Sequence, residues 1–69
     1  MGILDIFTDK ATKIQNTIRK HERKAAEAWT RADRYSRNMN YDLAALAKRE
    51  AEQHELMIAT LEKLLEGEQ

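Results

Sequence analysis

The chain has 69 residues, about half of an average domain, so it can bury only a small core of its own. It contains no cysteine, which excludes disulfides and thiolate metal sites, and no proline to interrupt a long helix. Lys and Arg number 12, as do Asp and Glu, and a net charge of zero argues against nucleic acid or a membrane surface as the main partner. No apolar run approaches the roughly 18 residues of a transmembrane helix, so we expect a cytoplasmic protein.

The first half of the chain carries an apolar repeat of seven residues, with a second set three residues after each member. This pattern predicts one long helix with a single apolar stripe, over about residues 8–37. Thr8 is the expected N-cap, with Asp9 favourable in the first turn, and Asp5 is the competing cap. The two sets are Leu4, Ala11, Ile18, Ala25, Ala32 and Met39, and Phe7, Ile14, His21, Ala28 and Tyr35.

The polar residues 36–40 break this pattern. Asn38 is expected to end the first helix in the left-handed conformation, and Asn40 to cap the second. We therefore predict a loop at 38–40 and a second helix over about 41–66, with Gly67 as its stop. The second apolar stripe consists of Ala44, Ala47, Ala51, His54, Ile58, Leu61 and Leu65.

A loop this short makes the two helices antiparallel neighbours, so residues 1–69 form one all-α helical hairpin with a coiled-coil-like seam. In the best register Ala28 faces Ala51 near the loop, whereas Ile18 faces Leu61 towards the open end. Because small side chains let backbones approach, the loop end should be close-packed and the open end wider.

Several apolar residues lie beside the seam and would stay exposed in a single hairpin. We expect a homodimer with a four-helix arrangement to bury them, because exposed apolar patches of that size are uncommon in monomers. The N-terminal members are expected to pack within the dimer. These residues are Ile3, Ile6, Trp29, Leu43, Leu46, Met57 and Leu64.

The loop end combines aromatic and arginine residues, the types enriched where proteins bind partners. We predict this loop-end cluster to be the partner surface, although Trp29 taken alone fits a dimer interface and Tyr35 a seam position. The cluster consists of Trp29, Arg31, Arg34, Tyr35, Arg37 and Tyr41. A second candidate is the basic stripe of Arg19, Lys20 and Arg23, which either flanks the seam with salt bridges or contacts an acidic partner or phosphates.

His21 and His54 both fall on seam positions, about one helical turn apart across the hairpin. No Glu-x-x-His spacing accompanies them, so we expect satisfied seam histidines and no metal site. No catalytic signature is present, and a two-helix seam offers no enclosed pocket. The sequence therefore predicts no enzyme and no cofactor.

The whole chain resembles the small helical-hairpin anti-activators encoded by temperate phages of Pseudomonas. The resemblance rests on length, two-helix layout, absence of Cys and Pro, and the aromatic–arginine end from Trp29 to Tyr41. It implies a protein that acts in the bacterial cytoplasm, binds a host LuxR-type quorum-sensing regulator and blocks its DNA binding. It also implies inhibition of the type IV pilus-assembly ATPase. No individual site residue carries over from it.

Two alternatives stay open. The layout also resembles the Rop-type four-helix dimer, which binds paired RNA loops and would need Arg19, Lys20 and Arg23 as its basic face. The zero net charge and the lack of an aromatic stacking platform argue against RNA. The other alternative is a structural subunit of a larger assembly.

Overall fold

The computed structural model describes the backbone of residues 3–68 and the side chains of residues 10–67. It consists of two helices, α1 at Ile3–Arg37 and α2 at Tyr41–Glu68, which pack against each other along their length. The predicted all-α hairpin is confirmed. The Cα atoms span 56 × 18 × 10 Å, so the molecule is one helix thick and both sides of the seam remain open.

Both helices extend further than the sequence suggested. α1 begins at Ile3, five residues before the expected start, so Thr8 and Asp5 lie inside it and neither is its N-cap. The apolar repeat already begins at Leu4, and each further residue of an existing helix adds a backbone hydrogen bond. Similarly, α2 includes Gly67, which is therefore not the residue that stops it.

The loop residues 38–40 join the helices through a Schellman motif. The Asn40 N–H donates to the Tyr35 carbonyl at 2.8 Å, and the Met39 N–H donates to the Ser36 carbonyl at 3.0 Å. The left-handed residue of this motif is Met39, with φ 63°, and not Asn38 as predicted. Asn40 begins the next helix as predicted, because its carbonyl accepts the Ala44 N–H at 3.0 Å.

The buried part of the seam consists of alanine alone among the described side chains. Six alanines have at most 5% of their surface exposed, and all six lie in the half of the hairpin nearest the loop. These are Ala25, Ala28 and Ala32 of α1 and Ala44, Ala47 and Ala51 of α2. The predicted close-packed loop end is confirmed.

Larger side chains occupy the seam towards the open end, and they are only half-buried. Ile14, Ile18, Ile58, Leu61 and Leu65 all fall in this class. Two helices cannot surround a side chain of this size, because each side of the seam faces water. The open end therefore holds apolar residues that a single hairpin does not fully cover.

α1 is the longer helix, with 35 residues against the 28 of α2. Since a three-residue loop joins them, the N-terminal two turns of α1 extend past the end of α2 by roughly 10 Å. The side chains of Ile3 and Ile6, expected to pack in a dimer, lie outside the described residues.

Candidate interaction surface

Two polar contacts across the hairpin define the two sides of the seam. The Trp29 indole Nε1–H donates to Glu55 Oε2 at 3.1 Å, and Arg31 Nη2 lies 3.1 Å from Glu50 Oε2. Trp29 and Arg31 are two residues apart, which turns them by about 200° around α1 and places them on opposite sides. We call these sides the Trp29 side and the Arg31 side.

The loop-end cluster is divided between these sides. Tyr41 precedes Glu55 by fourteen residues, which places it with Trp29, while Arg34 lies one turn after Arg31. Arg37 points away from the seam, with Nε 3.0 Å from Asp33 Oδ2 on its own helix. The structure thus gathers the six predicted residues at one end of the hairpin, as expected, but not on one face.

Four exposed apolar side chains follow one face of α2 on the Arg31 side. Leu43, Leu46, Met57 and Leu64 are 45–58% exposed and lie about a quarter turn from the seam. They belong to positions 43, 46, 50, 53, 57, 60 and 64, which alternate in steps of three and four, and the polar residues at 50, 53 and 60 interrupt the apolar stripe. We call these four residues the apolar flank.

Cationic side chains follow the neighbouring face of α1. Lys24 lies seven residues before Arg31 and Lys20 fourteen before Arg34, so the four share the Arg31 side of the hairpin. We call them the cationic flank. Only Lys20 of the predicted basic stripe belongs to it, because Arg23 lies on the outer face and Arg19 on the far side of α1.

Shallow grooves connect these features. The first lies between the helices near the loop, and it is lined by Arg31, Tyr35, Leu43, Leu46, Ala47 and Glu50. The second lies on α1, and it is lined by Arg23, Ala26, Glu27, Thr30, Arg31 and Arg34. Arg31 borders both grooves, so it lies between the apolar flank and the outer face of α1.

The Trp29 side has the opposite character. Glu22 and Asp33 of α1 lie near it, as do four carboxylates along α2. The four are Glu52, Glu55, Glu62 and Glu66. Sequence reasoning noted only that α1 is basic and α2 acidic, whereas the helical angle of each residue produces one apolar–cationic side and one acidic side.

The two histidines contact each other across the seam. His21 Nδ1 lies 2.8 Å from His54 Nδ1 and the ring centroids are 5.0 Å apart, so the two seam histidines are in direct contact. Both rings are half-buried, and one nitrogen must donate while the other accepts. They line a groove of about 480 Å³ together with Gln53, Leu56, Met57 and Thr60.

Metal-ligand types do not gather around this pair. Among the described residues, no group of three or more His, Cys, Asp or Glu side chains could hold a metal ion. The Nδ1–Nδ1 contact makes the pair a polar link between the helices.

No helix within the described part of the chain is long and apolar enough to cross a membrane. Comparison of the chain with protein-family models finds no match, and comparisons with curated proteins and with solved structures find no significant similarity.

Proposed function

We propose that this protein is a small binding regulator with no chemistry of its own, acting in the cytoplasm of a bacterial host. Its proposed partner is a LuxR-type quorum-sensing transcription factor, whose DNA binding it blocks. The resemblance to phage anti-activators supplies the identity of this partner. The observation that carries the binding role is the side of the hairpin where exposed apolar residues lie beside a row of cations.

Physical reasons support a binding role over catalysis. The molecule is one helix thick, and its described grooves are open and shallow, whereas catalytic sites need an enclosed, water-excluding cavity. Interfaces favour arginine and aromatic residues with exposed apolar neighbours, and the loop end of this hairpin combines all three.

The experiment measures DNA release. A purified LuxR-type regulator is bound to fluorescein-labelled promoter DNA, and the protein is titrated in while anisotropy is recorded. The proposal predicts a fall to the value of free DNA and a regulator–protein complex in size-exclusion chromatography. Unchanged anisotropy at saturating protein, with no complex on the column, would contradict it.

A variant of the loop end tests which residues contribute. The triple change of Arg34, Arg37 and Tyr41 to alanine should leave helix content nearly intact, because exposed positions usually change stability by within about 0.5 kcal/mol. It should weaken regulator binding mainly through Arg34, which lies on the Arg31 side, since an arginine anchor often costs more than about 1 kcal/mol on truncation. Binding as tight as wild type would exclude the loop end as the recognition surface.

We also propose that the protein is a homodimer joined at its open end. The part of α1 that extends beyond α2 contains Ile3, Leu4, Ile6 and Phe7, and a second copy would give this segment a helical partner. Sedimentation equilibrium at micromolar concentration should give twice the 8.0 kDa chain mass. Phe7→Asp should yield monomers while Leu46→Asp stays dimeric, and a folded wild-type monomer would refute the dimer.

A further inference from the structure

The geometry points to one class of occupant for the Arg31 side. We propose that the apolar and cationic flanks together form a docking surface for a single amphipathic helix that carries acidic residues along one edge of its apolar face. This inference rests on the proposed function and names the chemistry of the partner segment that the hairpin would bind.

The length and spacing of the apolar flank fit a helix. Leu43 and Leu64 are 21 residues apart on α2, which corresponds to roughly 31 Å along the helix axis. Leu46 and Met57 lie between them, and the stripe positions 50, 53 and 60 are polar. A helix of about 20 residues with apolar side chains in steps of three and four towards both of its ends would match the flank. The occupant would pack beside α2 as a third helix.

Charge selects an acidic occupant. The cationic flank of Lys20, Lys24, Arg31 and Arg34 runs along α1 beside the apolar flank, so it would face one edge of a helix seated there. Glu27 and Glu50 also lie on this side, the latter with Oε2 3.1 Å from Arg31 Nη2, so four cations face two carboxylates and a net charge of +2 remains. Carboxylates on the occupant would therefore meet an excess of positive charge.

A second copy of the chain fits this surface less well. The second copy presents the same cations on its own Arg31 side, while the carboxylates of its α2 lie mainly on its Trp29 side. Two copies packed through this side would thus bury apolar residues without opposite charges for the cations. A helix with acidic residues along one edge supplies both an apolar face for the apolar flank and carboxylates for the cationic flank.

The test uses a synthetic peptide probe. It is a fluorescein-labelled helical peptide of 21 residues, with leucines in steps of three and four and glutamates along one edge of that stripe. We expect saturable binding to the full-length protein, weakening at least tenfold between 50 and 500 mM salt because exposed charges are screened. A matched peptide with lysine in place of each glutamate should bind at least tenfold more weakly.

Variants locate the binding. Leu46→Asp and the double change Lys20→Glu with Lys24→Glu should each weaken peptide binding at least tenfold. Their matched controls are Ala59→Asp and the double change Arg19→Glu with Lys48→Glu, which introduce the same charges away from this surface and should leave binding unchanged. Circular dichroism melts of all four variants check that the hairpin is intact, which the exposure of these positions favours.

Several results would overturn the inference. Equal affinity for the glutamate and lysine peptides would show unspecific apolar adsorption. Binding to anionic phospholipid vesicles without binding to the glutamate peptide would assign the surface to lipid, and salt-sensitive binding to hairpin RNA instead would assign it to RNA. Conversion of a wild-type dimer into monomers by Leu46→Asp would assign it to a second copy.

The same variants separate this inference from the proposed function. If Leu46→Asp still releases promoter DNA from the LuxR-type regulator as wild type does, the docking surface is wrong and the regulatory role stands. If wild type binds the glutamate peptide but no LuxR-type regulator, the docking surface stands and the named partner is wrong.

Discussion

Replacing Ala28 by leucine tests whether close packing of the alanine seam holds the hairpin together. Ala28 and Ala51 have no exposed surface, and both lie in the buried alanine part of the seam. Leucine adds three carbon atoms to a site without space for them, and overpacking of this kind typically costs about 1–3 kcal/mol. For a chain of this size, each 1 kcal/mol lowers the melting temperature by about 4–8 °C. We expect a loss of about 4–24 °C, and a similar loss for Ala51→Leu.

The matched control is Ala26→Leu. Ala26 lies two residues away on α1 and is exposed, so the same change there should alter stability by less than about 0.5 kcal/mol. The assay is thermal unfolding followed by circular dichroism at one fixed protein concentration, since the proposed dimerisation would make the melting temperature concentration-dependent. If Ala28→Leu melts within about 2 °C of Ala26→Leu, the seam is not close-packed and the reasoning fails.

Three further predictions concern single contacts, each measured by chemical denaturation. Met39→Gly should stabilise the hairpin by about 0.5–1 kcal/mol. Met39 is 76% exposed and adopts φ 63°, a conformation that costs residues other than glycine roughly 1–2 kcal/mol. Met39→Ala should give no such gain, and an equal gain would refute the backbone explanation. His21→Leu and His54→Leu should each lower the free energy of unfolding by about 1–2 kcal/mol, because the remaining ring loses its hydrogen-bond partner. The double variant should cost less than the sum of the two single variants, so strictly additive losses would argue against the hydrogen bond. Trp29→Phe removes an exposed donor to Glu55 and should cost less than about 1 kcal/mol, and a much larger loss would mean that Trp29 is buried in a dimer.

The sequence alone was enough to predict the hairpin and the alanines that its seam buries. A seven-residue apolar repeat on two helices joined by a short loop leaves few alternatives, because small residues must face small ones. Ala28 and Ala51 are therefore fully buried where expected. The helix ends were less predictable, since capping preferences are weak compared with propagation of the helix past Thr8.

The conformation of the turn and the composition of the candidate surface were also hard to predict from the sequence. Asparagine tolerates the left-handed conformation better than methionine, yet the two Schellman hydrogen bonds place Met39 at that position. The predicted cluster groups Trp29 with Arg31 because they are close in the sequence. This prediction did not consider that residues two positions apart on a helix face opposite sides. The apolar flank could have been found from the steps of three and four between positions 43 and 64.

The central claim is that a partner binds the Arg31 side of this hairpin. The most direct test records ¹H–¹⁵N correlation spectra of the ¹⁵N-labelled protein while the unlabelled LuxR-type regulator is added. The account predicts that resonances of Lys24, Arg31, Leu46 and Met57 shift or broaden first, while Glu62 on the Trp29 side changes little. Unchanged spectra, or changes confined to the Trp29 side, would contradict it.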